Sequence, residues 1–250
     1  MDRIRDAIAA GRASFGSWVS TGDPMLAEVI GKLGYDWVIL DTQHGAIDWH
    51  QLLTSFQALD LGGTRALVRV GWTDPMQIMR AMDLGALGVI VPMVSTAEQA
   101  AIAAQATRYP PRGNRSFGPV RNYYAPPAGE TPVEPFCFVM IETAEAMDNL
   151  DAIAATPGVD GMFVGPVDLA LALGLGPALV MPDRVLAAID AVVAACERHG
   201  IIPGCASLGM PNAKALMDRG VRFLTLGSEV GLIRRGAAAD LEQVKAWTGG

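Results

Sequence analysis

Trp37–Gly45 reads WVILDTQHG. Four apolar residues, Trp37 to Leu40, are followed at once by Asp41, His44 and Gly45. An unbroken apolar run of this length fits a strand covered by helices on both sides, as in a parallel sheet. In a closed barrel of such strands, what stands at the carboxyl ends builds the site. Three later runs end the same way. Arg69 follows ALV, Glu142 follows FVMI, and Asp168 stands just after MFVGP. These residues read as one constellation on a shared rim.

Outward from this stretch, apolar runs alternate with helical patterns along the whole chain. The runs predict strands at Phe15–Val19, Trp37–Leu40, Ala66–Val70, Gly88–Val91, Phe136–Ile141, Gly161–Val164, Ile201–Cys205 and Phe223–Leu226. Helices are expected at Pro24–Leu33, Trp49–Leu59, Pro75–Leu84, Thr96–Thr107, Ala144–Ala154, Pro182–Arg198, Met210–Arg219 and Glu229–Trp247. Eight strand–helix units point to a closed parallel (β/α)₈ barrel. Asp23-Pro24 and Asp74-Pro75 have the form of a cap followed by a helix-opening proline. Gly34, Gly85, Gly200 and Gly220 each stand just past a helix, where a left-handed residue is wanted. The first segment, Asp2–Ala10, reads as an extra helix closing the barrel bottom.

The chain has 250 residues, a usual length for one such barrel, so 1–250 is read as a single domain. Half of the residues are hydrophobic, and no apolar run is long enough to span a bilayer. The opening MDRIRDAIAAGRASFGSW mixes charges into a helical pattern and lacks the apolar centre of a signal peptide. Cys137, Cys196 and Cys205 are odd in number and not spaced as metal ligands; they fit core positions in a reducing cytoplasm. A net charge of −7 without a long basic run argues against nucleic acid as a partner. One connection is out of scale: Tyr109 to Pro135 holds seven prolines and no clear periodicity. It joins a helix to the next strand, so it belongs at the bottom face, where it reads as an arm for a neighbouring chain or as a linker.

Each rim residue has a plain role and a chemical one. Glu142 is a strand-end acid bonded to the next helix, or half of a metal site. Asp168 is a first-turn helix acid, or the other half. Two carboxylates with room for water and substrate oxygens suit a hard divalent cation. His44 is a packed loop histidine or a general base, the side-chain type that changes charge near neutral pH. Arg69, inside an apolar strand, is costly unless paired. It is either in a buried ion pair or a fixed cation facing developing negative charge. Asp83 falls in a last helical turn, where the macrodipole disfavours an acid. It is either screened by solvent or the partner of a cation or imidazole.

Taken together, DTQHG, LVRV-x-W-x-DP, VPMV, RYPPRGNRS, IET-x-EAM and GVDGMFVGPVDLA resemble the HpcH/HpaI class II pyruvate aldolases, from about Gly16 to the C-terminal helix. The resemblance implies a barrel of the phosphoenolpyruvate/pyruvate type, in a hexamer built as a trimer of dimers with exchanged C-terminal helices. It implies reversible, metal-dependent aldol cleavage of 4-hydroxy-2-oxo acids to pyruvate or a related 2-oxo acid such as hydroxypyruvate, plus an aldehyde. Mg²⁺, Mn²⁺ or Co²⁺ would be the cofactor. By motif, His44 matches the base, Arg69 the transition-state arginine, Asp83 an acid that raises the base's pKa, and Asp41 the residue orienting the base loop. Glu142 and Asp168 match the metal ligands. Gly165, Pro166, Val167 and Asp168 lie where the family meets the substrate carboxylate, with Val167 contributing backbone. Gln43 stands where the best-known members carry Glu, and Met140 where they carry a Gln that contacts substrate.

No lysine ends a predicted strand, since Lys32, Lys214 and Lys245 fall in helical patterns, which disfavours a Schiff-base mechanism. Two alternatives stay open. One is another enzyme on the same barrel, cleaving acyl-CoA thioesters or handling phosphoenolpyruvate. The other is a non-catalytic 2-oxo-acid-binding protein.

Overall fold

The computed structural model describes residues 3–125, 134–177 and 180–248. Eight parallel strands close a barrel in sequence order, with the last returning to the first. They are β1 (Ser14–Val19), β2 (Trp37–Asp41), β3 (Arg65–Arg69), β4 (Gly88–Val91), β5 (Phe136–Ile141), β6 (Gly161–Val164), β7 (Ile202–Ala206) and β8 (Phe223–Ser228). The helices are α1 (Arg3–Ala9), α2 (Pro24–Gly31), α3 (Trp49–Gly62), α4 (Pro75–Asp83), α5 (Ala97–Thr107), α6 (Val120–Tyr124), α7 (Ala144–Asp148), α8 (Leu150–Ala154), α9 (Pro166–Ala172), α10 (Asp183–His199), α11 (Met210–Asp218) and α12 (Glu229–Thr248).

Side chains alternate between two apolar cores because successive strand residues face opposite ways. The larger core lies between strands and helices and takes Val38, Leu40, Val68, Val89, Val139 and Val164. The smaller fills the barrel and takes Trp37, Ile39, Leu67, Phe138, Phe163 and Phe223. The Trp37 and Phe223 rings stack at 3.7 Å, and Phe138 and Phe223 at 4.3 Å. Gly16 makes room for this stack, because a Cβ there would enter the Trp37 ring. Ile4 of α1 belongs to the inner core, so α1 closes the barrel bottom.

The helix punctuation follows side-chain chemistry. Asp23 and Asp74 accept backbone N–H groups at the starts of α2 and α4. Asp48 with Gln51, and Thr96 with Gln99, form capping boxes at α3 and α5. Gly34, Gly85, Gly200 and Gly220 all take positive φ, as the turns into the next strands require.

Three elements differ from the sequence reading. The helix expected at Ala144–Ala154 is broken into α7 and α8 at Asn149, whose amide donates to the Ser95 carbonyl at 2.9 Å. Helix α9 is an additional short helix opened by Pro166. Helix α6 lies inside the proline-rich arm. Of that arm, residues 126–133 lie outside the described residues. Its described parts are fastened by arginines at the amino end of the barrel. Arg115 meets Asp83 at 2.6 Å, Arg121 meets Asp60 and the Leu84 carbonyl, and Arg112 meets Glu134. Beyond its first turn α12 is exposed. No helix among the described residues is long and apolar enough to cross a membrane.

Candidate active site

Register brings the first two groups together. Asp41 ends β2 directly opposite Arg69, which ends β3. Both are buried, and they form a two-pronged pair: Arg69 Nε to Asp41 Oδ1 at 2.9 Å and Nη2 to Oδ2 at 2.6 Å. Trp18 of β1 adds an indole N–H to Asp41 Oδ2 at 3.1 Å, and its ring lies under the Arg69 guanidinium at 4.6 Å. Burial alone would raise the Asp41 carboxyl. The hydrogen bonds and charge of Arg69, with those of Trp18 and the Gln43 N–H, outweigh it and hold Asp41 below the usual carboxylate range. Arg69 is therefore in the buried ion pair that its position demanded. The Asp41 fork uses Nε and Nη2, not Nη1.

Asp41 also shapes the loop that follows it. Its Oδ1 accepts the N–H groups of Gln43 at 3.0 Å and His44 at 3.3 Å. Thr42 fastens to the Arg69 carbonyl through its N–H at 2.9 Å and its hydroxyl at 2.8 Å. Gly45 is pressed against the Asp41 carbonyl, and a Cβ there would come 2.8 Å from the Ser20 carbonyl. His44 is held by backbone on both sides, with its side chain exposed at the mouth.

The second pair of carboxylates stands on β5 and β6. Thr143, not Glu142, caps α7 by accepting the Ala146 N–H at 3.0 Å. This leaves Glu142 facing the barrel mouth. Its Oε1 accepts the Met93 N–H at 2.7 Å. Met93 reaches this position with φ of 56°, the non-glycine residue that takes positive φ among those described. Such a conformation costs energy and collects at functional sites. Glu142 Oε2 is buried with no hydrogen-bond partner among the described residues. A Cβ at Gly165 would collide with that oxygen, so glycine is what the packing allows there. Burial above all raises the Glu142 carboxyl to about 7; the nearby Asp168 charge contributes to the rise, and the Met93 N–H and Arg69 oppose it. Asp168 itself is exposed in the first turn of α9. An orphaned, buried carboxylate oxygen beside a second carboxylate fits a divalent cation, which would relieve both the missing contact and the repulsion. Among the described residues no three His, Cys, Asp or Glu side chains are grouped to hold a metal. Glu142 and Asp168 are the two carboxylates that this end of the barrel offers to a cation.

Gly165, Pro166 and Val167 run from β6 into α9 beside Glu142. Met140 points inward one step below Glu142, 2% exposed, with its methyl 3.0 Å from where a Gly165 Cβ would lie. Asp83 is not brought to this mouth within the chain. It ends α4, at the amino end of the barrel, where its Oδ1 accepts from Arg115 Nη2 at 2.6 Å. That guanidinium answers the unfavourable helix-end charge, so Asp83 and His44 do not meet here. His50 is exposed at the start of α3, and His199 pairs with Asp151 on the outer surface at 3.0 Å. Two further residues at this end of the barrel, Trp18 and Glu229, are absent from the constellation read from the sequence. Trp18 could have been found as a polar-tipped aromatic at the end of β1. Glu229 is a 1% exposed acid at the end of β8, in the same strand-end pattern that singled out Glu142.

Residues 14–236 match the family model HpcH/HpaI aldolase/citrate lyase. The chain is 37% identical over 243 residues to a 5-keto-4-deoxy-D-glucarate aldolase of Klebsiella pneumoniae subsp. pneumoniae, with 93% of each chain covered. It is 36% identical to a hydroxypyruvate/pyruvate aldolase of Rhizorhabdus wittichii, over 98% of this chain and all of that one. A crystal structure of a family protein from Burkholderia cenocepacia J2315 superposes with a TM-score of 0.86 at 29% identity, covering 97% of each chain. With the barrel, its strand-end site and these relatives in agreement, the chain belongs to the HpcH/HpaI aldolase/citrate lyase family.

Proposed function

We propose that the chain catalyses reversible, divalent-metal-dependent aldol cleavage of 4-hydroxy-2-oxo acids to pyruvate or hydroxypyruvate plus an aldehyde. The observation that carries this is the orphaned Glu142 Oε2, cradled by Gly165 and accompanied by Asp168. Glu142 and Asp168 would hold the divalent cation, which would supply Lewis-acid polarisation of the 2-oxo oxygen. Mg²⁺, Mn²⁺ and Co²⁺ are the candidates.

The remaining steps belong to the chain's own side chains. Backbone at Gly165–Val167 receives the substrate carboxylate beside Asp168. In cleavage His44 takes the proton of the C4 hydroxyl, directly or through a water. The C3–C4 bond then breaks, the aldehyde leaves, and the electron pair moves onto C3 and the 2-oxo oxygen. Arg69 faces the charge that develops there with the guanidinium edge that Asp41 does not use. Protonation of C3 completes the 2-oxo acid. Asp41 holds Arg69 and the His44 loop in one geometry. Among the described residues Lys32, Lys214 and Lys245 all lie in or at the ends of helices, away from the mouth, so no lysine is placed for an imine.

The reading extends to assembly and place. Val230, Ile233, Leu241, Val244 and Trp247 of α12 are large apolar residues left exposed. They favour a homo-oligomer in which α12 packs on a neighbour, with a hexamer as the proposed state and the cytoplasm as its location. Asp83 keeps the role of partner to the base only in so far as assembly supplies a contact that one chain lacks.

A panel of aldehydes condensed with pyruvate and with hydroxypyruvate tests the activity. Carbon–carbon bond formation with at least one pair is expected. Cleavage of malyl-CoA or citramalyl-CoA without aldol turnover would move the chain to thioester chemistry. Binding of 2-oxo acid without methyl-proton exchange would make it a binding protein.

A further inference from the structure

Glu229 opens α12 at the carboxyl end of β8 and is 1% exposed. Its Oε1 accepts three hydrogen bonds from the β1–α2 loop: Ser20 N–H at 2.6 Å, Thr21 N–H at 2.8 Å and Ser20 hydroxyl at 3.2 Å. Its Oε2 is buried with no partner among the described residues. A buried carboxylate spent on two backbone N–H groups at the far end of the sequence calls for a reason. The bare structural one is the barrel seam, since the β1–β8 register slips between Gly16 and Trp18.

The same loop does a second thing. The Ser20 carbonyl accepts the Ala46 N–H at 2.7 Å. Ala46 and Gly45 directly follow His44, and Gly45 is packed against the Ser20 backbone. Gly22, at φ of +68°, brings the loop so close that a Cβ would lie 3.0 Å from the Ala46 carbonyl. Thus, besides the Thr42 bonds to Arg69, the His44 loop is anchored on either side of His44. Asp41 holds its start through Gln43 and His44, and Ser20 holds its end through Ala46. Glu229 is what fixes Ser20.

We propose that Glu229 is a positioning residue for the aldol reaction: through Ser20 and Thr21 it sets where His44 stands in the barrel mouth. The proposal rests on the reading of His44 as the base. In this assignment Glu229 acts through the Ser20–Thr21 loop and not by contact with substrate or metal, so its effect runs through His44 and disappears when His44 is absent.

A double-mutant cycle on the full, Mn²⁺-loaded chain tests this. Glu229→Ala should lower kcat for cleavage about 10-fold or more, because a misplaced base loses most of its value. The KM for the 2-oxo acid and the Mn²⁺ affinity should stay within about 2-fold, since Glu142 and Asp168 are untouched. In a His44→Ala background the same change should cost less than about 2-fold. Glu229→Gln keeps an acceptor oxygen for the same three donors and should recover most of the loss. If Glu229→Ala is insoluble, Glu229→Asp, one methylene too short, takes its place in the cycle with the same expectation. An equal loss in both backgrounds would reduce Glu229 to a seam bond and overturn the proposal, as would an unchanged kcat. Near-normal turnover in His44→Ala alone would remove the base itself, and the proposal with it.

Discussion

In the proposed reaction Arg69 is the cation that faces the developing charge, and its neighbours explain how a cation is tolerated inside an apolar strand. Asp41 takes two of its nitrogens and Trp18 lies against its face. Lysine keeps the charge but loses the planar fork. Arg69→Lys should therefore fold and bind metal, while turnover falls by roughly 10² or more, as on losing one oxyanion-type donor. Exchange of the pyruvate methyl protons with deuterated water, followed by NMR, should slow in step; wild-type exchange in the folded variant would confine Arg69 to its ion pair. His44→Ala should slow cleavage by roughly 10² to 10⁴ with metal affinity little changed. Asp41 makes a prediction about acid. Its folded pKa lies below its unfolded one, so its ionised form stabilises the fold above the unfolded value. That contribution is lost as pH falls through the folded value. Denaturant unfolding should show stability declining below about pH 4, the ordinary carboxylate range. Asp41→Asn should start less stable at neutral pH and show a shallower decline; an unchanged acid limb would contradict this. At this scale the sequence was partly legible. The strand-end rule singled out Asp41, Arg69, Glu142 and Asp168 because a polar residue ending an apolar run is a local pattern. It could not show that Asp41 and Arg69 face each other, which depends on register between strands. Nor could it show that Asp83 would find Arg115, a partner in a loop without periodicity.

The elements were more legible than their joints. Eight apolar runs became eight strands because each is buried on both faces, and the capping residues and glycines marked the helix ends. What the pattern missed is short and locally decided: the break at Asn149, the turn of α6 and the insertion of α9. Two glycines show how closely the elements meet. Gly31 of α2 and Gly62 of α3 let the helix backbones touch, and a Cβ on Gly62 would stand 2.7 Å from the Gly31 carbonyl carbon. Gly62→Ala should destabilise the fold by about 1–3 kcal/mol, the usual cost of overpacking, with activity per folded molecule unchanged. At the β6–α9 junction, Gly165→Ala would press on Glu142 Oε2 instead of on a helix. It should weaken Mn²⁺ binding by about 10- to 100-fold, in the range for disturbing a ligand's immediate support. Titration of the apo and Mn²⁺-loaded variant by calorimetry checks it; unaltered affinity would mean that Oε2 is not directed at a metal.

At the scale of the whole molecule, the barrel holds the rim groups on separate strands, so no single element carries the chemistry. Its bottom is closed by α1 and fastened to the proline-rich arm. The exposed apolar side chains of α12 point outward from the barrel, and light scattering at micromolar concentration should give the mass of a homo-oligomer, a hexamer in the proposed state. A monomer would contradict that part of the reading and leave the chemistry standing. The chemistry itself turns on whether Glu142 and Asp168 hold a divalent cation. The most direct measurement is pyruvate release from a 4-hydroxy-2-oxo acid before and after exhaustive chelation, with Mn²⁺, Co²⁺ or Mg²⁺ added back. Cleavage should vanish with the metal and return with it, and should not return in Glu142→Ala. Full cleavage by the chelated protein, or an imine trapped by borohydride, would contradict the account.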